Sequence, residues 1–203
     1  MAIITNYATL KTAIADYLAR DDLTTFIPNF VQNTENKLRR TLNLRNEETD
    51  LSITISIGVA DVPTDFKALK FAYYDSTPSQ LLQWVPIEEL IRDYPDRSAI
   101  GIPRVISRYA EVFWFGPVPA DGSNIYGSYY AKQDPLETTD GSWYVTNAPE
   151  VLLYGALMEA APFIHDDPRL ATWQQLFTDA LSTLRDEQRN AEHSHGQLIQ
   201  RIS

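Results

Sequence analysis

Apolar side chains recur at Tyr7, Leu10, Ile14, Tyr17 and Leu18, the three-and-four spacing of one face of an amphipathic helix. That spacing predicts a helix near 7–20, with Thr5 or Asn6 as N-cap. After Asp21-Asp22-Leu23-Thr24-Thr25 the same period returns at Ile27, Phe30, Val31, Leu38 and Leu42, with Pro28 suited to a first turn. From Leu51 the period changes to two: Leu51, Ile53, Ile55 and Ile57 alternate with Ser and Thr, and Gly58 follows. This is a half-buried strand running into a turn, with 59–62 as the return strand. Further strands are predicted at 69–74, 81–85, 104–109, 112–115 and 125–131, and one short helix at 86–94. The helical period resumes after Trp143, with Asn147 as cap, Pro149 and Glu150 in the first turn, and Val151, Leu152, Leu157, Met158 and Ala161 as buried positions. A last helix starts at Asp166-Asp167-Pro168 and carries Leu170, Trp173, Leu176, Phe177, Ala180, Leu181 and Leu184 on one stripe, which ends at Arg185.

The order is two helices, a β-unit with one small helix, then two helices. The expected fold class is α+β: an up-and-down helical bundle from 1–45 and 147–185, with an antiparallel β-domain inserted at 46–146, because each helix has one stripe to bury. Residues 186–203 show no stripe of comparable length and read as a flexible C-terminal extension.

Charge sharpens this division. The chain has 203 residues and a formal net charge of −10. Residues 1–45 carry +2, residues 46–166 carry −11 and residues 167–203 carry −1, which assigns the acidity to the β-unit. Such a balance opposes wrapping nucleic acid over the whole surface. With no Cys, thiolate chemistry and disulfides are excluded. No span reaches the roughly 20 apolar residues of a membrane crossing, and the N-terminus lacks the pattern of a secretory signal, so a soluble protein without a membrane partner is expected.

Enzyme motifs are sparse. Phosphate-binding glycine loops, GxSxG and HExxH are absent. His165-Asp166-Asp167 reads as the end of one helix and the cap of the next in preference to a metal site, and His193-Ser194-His195 lacks a third ligand. Glu47-Glu48, Glu88-Glu89 and Asp21-Asp22 are formally available as the carboxylates of a peptidoglycan glycosidase, although adjacent acids are ordinarily solvated surface. The sequence implies no cofactor. Lys37, Arg39, Arg40 and Arg45 form a basic row on and after the second helix, either a solvated face or an inter-subunit surface for acidic groups of a neighbour. Tyr126, Tyr129 and Tyr130 occupy both parities of one strand, so some aromatic rings must face outward, as at protein interfaces.

A family resemblance rests on a succession of short phrases: Tyr17-Leu18-Ala19-Arg20-Asp21-Asp22, Glu35-Asn36-Lys37-Leu38-Arg39-Arg40, Val62-Pro63-Thr64-Asp65-Phe66, Gly101-Ile102-Pro103-Arg104, Phe115-Gly116-Pro117-Val118-Pro119, Tyr129-Tyr130-Ala131 with Pro135-Leu136, and the stretch from Ala148-Pro149-Glu150 to Leu157. In this order the chain resembles the adaptor, or head-to-tail connector, proteins of short-tailed bacteriophages of the SU10 type, and more distantly the T7-like tail tubular protein A. The resemblance implies a non-enzymatic virion protein, assembled in the host cytoplasm. It implies a ring of twelvefold symmetry between the portal protein and a tail nozzle or tail tube protein, with tail fibres as further partners and DNA only as the passing genome. It also implies that the C-terminal extension reaches the portal, with Leu198, Ile199 and Ile202 as apolar anchors and Arg185, Arg189 and Arg201 as polar ones.

Overall fold

A computed structural model describes residues 3–137, 143–164 and 167–193. The chain divides into two compact units, a helical one formed by the described residues of Met1–Asn43 and Asp134–Ser203, and a sheet unit, Leu44–Gln133.

In the helical unit, α1 (Tyr7–Leu18) starts where Asn6 closes a reciprocal cap: its Oδ1 accepts from the Thr9 N–H at 2.8 Å, and Thr9 Oγ1 accepts from the Asn6 N–H at 3.0 Å. Two otherwise orphaned donors are satisfied by two side chains. Asn6→Ala is therefore expected to cost about 1 kcal/mol, read as a lowered urea midpoint with unchanged slope; an unmoved midpoint would show that the cap contributes nothing. The face that α1 buries is Leu10, Ala13, Ile14 and Leu18. A 3₁₀ turn at Asp21–Phe26 leads into α2 (Ile27–Thr41), which has Pro28 in its first turn and buries Phe30, Val31, Thr34 and Leu38.

The C-terminal half departs from the sequence reading at three points. Asn147 does not cap the next helix. It ends a short α4 (Trp143–Asn147), where its Nδ2 donates to the Trp143 carbonyl at 3.0 Å. The residue preceding α5 (Pro149–Glu159) is Ala148, whose methyl group cannot accept from the free N–H groups of the first turn. Second, α5 is not a one-stripe helix. Val151, Leu152, Leu153, Gly155, Ala156 and Leu157 are all buried, which closes every side of it, and α1, α2 and α6 (Arg169–His193) pack around it. Third, α6 does not stop at Arg185 but continues to His193. Glu187, Gln188, Arg189 and Ala191 bury little, yet all are strong helix formers, so local propensity sustains the helix where no core demands it. Its start follows expectation: Asp167 Oδ1 accepts from the Arg169 N–H at 2.9 Å, and the Arg169 guanidinium grips the same carboxylate and the Tyr17 carbonyl at 2.8 Å.

The sheet unit has seven strands, β1 (Glu48–Thr54), β2 (Val59–Asp61), β3 (Phe66–Tyr74), β4 (Gln80–Trp84), β5 (Val105–Tyr109), β6 (Val112–Gly116) and β7 (Asn124–Ala131). Their spatial order is β1-β7-β3-β4-β5-β6-β2. All pairs are antiparallel except β4 with β5, which are parallel because α3 (Ile87–Asp93) lies in the connection between them. The two outermost strands are consecutive in the chain. They are joined by a hairpin in which the Ser56 and Val59 N–H groups donate to each other's carbonyls at 2.8 and 3.1 Å, so the sheet curls until its ends meet at that corner. One core results, to which every strand contributes: Leu51, Ala60, Phe66, Ala72, Leu82, Ile106, Phe113, Phe115, Ile125 and Tyr129.

Candidate interaction surfaces

The basic row of α2 is largely engaged within its own unit. The Lys37 ammonium pairs with Glu159 of α5, and the Arg39 guanidinium donates to the Asp134 carbonyl at 2.8 Å and stands 3.7 Å from Glu35. Glu35 is 3% exposed and accepts from the Leu136 N–H at 3.1 Å, so α2 clamps the chain where it re-enters the helical unit. Burial raises the Glu35 pKa, opposed by Arg39 and by the Leu136 N–H. Arg40 is exposed, with no partner among the described residues, and Arg45 is exposed at the start of the sheet unit. Nothing in the sequence distinguishes Arg40 from its satisfied neighbours; the partner residues lie about 95 to 122 positions away.

The unit boundaries also change the charge picture. Six acidic and no basic residues lie in 134–166, which belongs to the helical unit. The sheet unit therefore holds eight basic against twelve acidic residues, −4, and the helical unit nine against fifteen, −6. Acidity is shared between the units and is not a property of the β-unit.

Of the C-terminal residues singled out above, Arg185 and Arg189 lie exposed on α6, the latter 3.6 Å from Asp186. Leu198, Ile199, Arg201 and Ile202 lie outside the described residues.

In the sheet unit the outward aromatics resolve by parity. Tyr129 points into the core, where burial and then its 2.9 Å hydrogen bond to Asp65 push the phenol pKa up to about 12. Tyr126 points outward, opposite Tyr73 of β3, which in turn faces Leu81 of β4. Leu81 is 64% exposed and Phe71, two residues before Tyr73, is 44% exposed. These four side chains form an uncharged pad on the outer face of β3, β4 and β7.

A second apolar surface was not visible in the sequence. In the β1–β2 hairpin both turn residues have positive φ, Ile57 at 53° and Gly58 at 73°, the type I′ geometry that favours Asn-Gly. Ile57 is 88% exposed at the tip. A Cβ on Gly58 would lie 2.7 Å from Val118 Cγ1, so the turn sits directly on Val118. Val118 also bridges Ile100 and accepts from the Gly101 N–H at 2.8 Å. Val118 thus links the turn that carries Ile57 to the segment of Ile100 (72% exposed) and Ile102 (56% exposed). Arg97 fixes the arrangement from beneath, donating to the Phe115 and Gly58 carbonyls at 2.6 and 3.3 Å while lying on the Trp114 ring. Asp121 accepts from the Gly58 N–H at 3.2 Å.

The family model of the SU10 adaptor protein matches residues 5–201, almost the whole chain. The chain belongs to this family. It is one of bacteriophage adaptor proteins, so the adaptor is a virion component. No curated protein matches it.

The carboxylates of the adaptor that could suggest hydrolysis are engaged locally. Glu47 is buried and bonded to Lys67 at 2.6 Å, Glu48 is paired with Lys70, and Asp22 with Arg20 at 2.6 Å. Glu88 and Glu89 lie in the first turn of α3, where negative charge is favourable. Among the described residues no three His, Asp or Glu converge as metal ligands, and no helix is long and apolar enough to cross a membrane. His165 and Asp166 lie outside the described residues.

Proposed function

We propose that this adaptor joins the portal to the tail as a ring of twelve copies through which the genome passes. The observation that carries the reading is the family match over 5–201, which spans both the helical and the sheet unit. In this reading the helical unit faces the portal, and the sheet unit faces a tail nozzle or tail tube protein and fibres. The C-terminal residues provide the portal contact: Arg185 and Arg189 are exposed on α6, and Leu198, Ile199 and Ile202, with Arg201, follow it in the sequence as apolar and polar anchors for docking. Of the basic row, Lys37, Arg40 and Arg45 are exposed and available to a neighbouring copy, while Lys37 and Arg39 also hold the helical unit together. DNA is a passenger, and negative charge on both units disfavours its retention.

Deleting residues 194–203 tests the portal contact. Co-sedimentation with purified portal should be lost while the thermal transition stays in place, because the deletion removes none of the described packing. Portal binding by the shortened chain equal to that of the full chain would refute this role of the tail. Failure of the full chain to bind portal at all would refute the adaptor ring as drawn here.

A further inference from the structure

We propose that residues 44–48, the stretch by which the chain enters the sheet unit, form a latch. Two lysines set in bulges of β3 hold it closed, and it opens as one piece while the rest of the sheet stays folded.

The bulges follow from the register. β3 meets β7 through Phe66 opposite Ala131, Ala68 opposite Tyr130, Leu69 opposite Tyr129 and Phe71 opposite Ser128, so Lys67 and Lys70 are each an extra residue with nothing facing them. At the second bulge a Cβ on Gly127 of β7 would lie 2.2 Å from the Phe71 carbonyl oxygen, so only glycine lets the two backbones approach there. Both lysines reach past β7 to consecutive glutamates beside β1. Lys67 bonds to Glu47 at 2.6 Å, and Lys70 pairs with Glu48 while its ammonium lies 6.0 Å from the centre of the Tyr130 ring of β7. A bulge re-aims a side chain, and here two of them aim at one short segment.

Little else holds that segment. Asn43 before it and Arg45 and Asn46 within its 3₁₀ turn are exposed, and only Leu44 and Glu47 are buried. Glu47 is 1% exposed: its Oε2 accepts from Lys67 and, at 3.4 Å, from the Leu44 N–H, while its Oε1 is buried with no hydrogen-bond partner among the described residues. An unpaired buried oxygen carries its full desolvation cost in the closed state, and opening returns it to water. Lys67 offsets that cost. Few buried side chains, one of them half-satisfied, place the segment at the low end of local stability.

Opening changes the length of one connection. With the latch closed, only Asn43 separates it from Leu42, whose N–H still donates to the Leu38 carbonyl at the end of α2. With the latch open, residues 43–48 become a free tether that can span about 20 Å. The return connection keeps its clamp, Arg39 on the Asp134 carbonyl and Glu35 on the Leu136 N–H. The latch therefore lengthens one of the two connections between the units and leaves the other short.

Hydrogen exchange of the full chain, read by mass spectrometry over a peptide covering 44–48, tests this. The reporting amides are those of Leu44, Glu47 and Glu48, which donate to Glu47 Oε2, the Leu44 carbonyl and the Arg45 carbonyl. In wild type at low urea their exchange should be independent of urea, the mark of a local opening, while that of β6 accelerates with urea. Urea dependence as steep at 44–48 as in β6 would show that the segment opens only with the whole sheet, and would overturn the latch. Lys67→Met strands the Glu47 carboxylate, so exchange at 44–48 should rise at least tenfold with β5 and β6 unchanged. Lys67→Arg should restore slow exchange, and so should Glu47→Gln added to Lys67→Met, because it removes the stranded charge. An unchanged rate in Lys67→Met, or a rise spread evenly over all strands, would overturn the proposal.

Discussion

Gly155→Val is expected to lower the stability of the helical unit by about 3 kcal/mol or more, the upper end of what overpacking a core costs. The reason is the position of α5, enclosed by three other helices. A Cβ at residue 155 would lie 2.3 Å from Thr34 Cγ2, closer than a real Cβ comes without displacing its neighbour, and 3.1 Å from Phe177 Cε2, a tight contact that requires a small shift. Neither neighbour can yield easily. Thr34 is buried and its hydroxyl donates to the Phe30 carbonyl at 3.0 Å, which fixes its rotamer, and Phe177 belongs to α6. At roughly 2–4 °C per kcal/mol for a chain of this size, the transition followed at the helical band should fall by about 6–12 °C. Gly155→Ala separates two opposing effects: it gains about 1 kcal/mol of helix propensity and meets the same Thr34 methyl. A stabilised Ala variant would show that α2 and α5 can separate slightly at no cost, and would defeat the close-approach account.

Glu35 should give the second large effect, with a pH dependence that identifies its cause. Glu35→Ala removes the acceptor of the buried Leu136 N–H, at about 1–3 kcal/mol, and the buried stem of the side chain besides. Glu35→Gln keeps an oxygen at that N–H and should be much milder. The ordinary carboxyl pKa is about 4.5 and that of folded Glu35 is higher, so the folded chain binds this proton more tightly than the unfolded chain. The resulting stabilisation is fully present below the unfolded value and is lost as pH rises through the folded one. Wild type should therefore match Glu35→Gln most closely in acid and fall behind it as pH rises from about 4.5. Denaturant midpoints of both chains across pH 4 to 8 check this. A difference that is constant, or that grows on acidification, would show that burial does not dominate the Glu35 environment.

These two positions also show where sequence reading reached its limit. Strands and amphipathic helices were legible because one face is wet: Ile53 and Ile55 alternate with Ser and Thr, and Leu10 and Ile14 recur at helical spacing. Burial on all sides removes that signal. The apolar run from Val151 to Leu157 has no polar face, so periodicity identified a helix there without revealing it as the centre of the unit. Glu35 read as one more charge on a basic helix, because its partner is Leu136, which follows the entire sheet unit. Ile57 was indistinguishable from Ile53 and Ile55 by alternation. Only the turn that begins at Ser56 turns it out of the strand. The end of α6 is illegible for the opposite reason: beyond Arg185 no apolar stripe marks a helix, yet Glu, Gln, Arg and Ala favour helix without one.

The enclosed position of α5 has a further consequence for the order of events during synthesis. Roughly 110 residues separate the end of α2 from the start of α5, and at ribosomal rates of about 5–20 residues per second α1 and α2 wait about 5–20 s for the helix that covers their apolar faces. Over the same interval all seven strands emerge. The inserted sheet unit can therefore complete itself on the nascent chain while the flanking helices are still a pair with an open face, a target for chaperones until Leu157 leaves the exit tunnel.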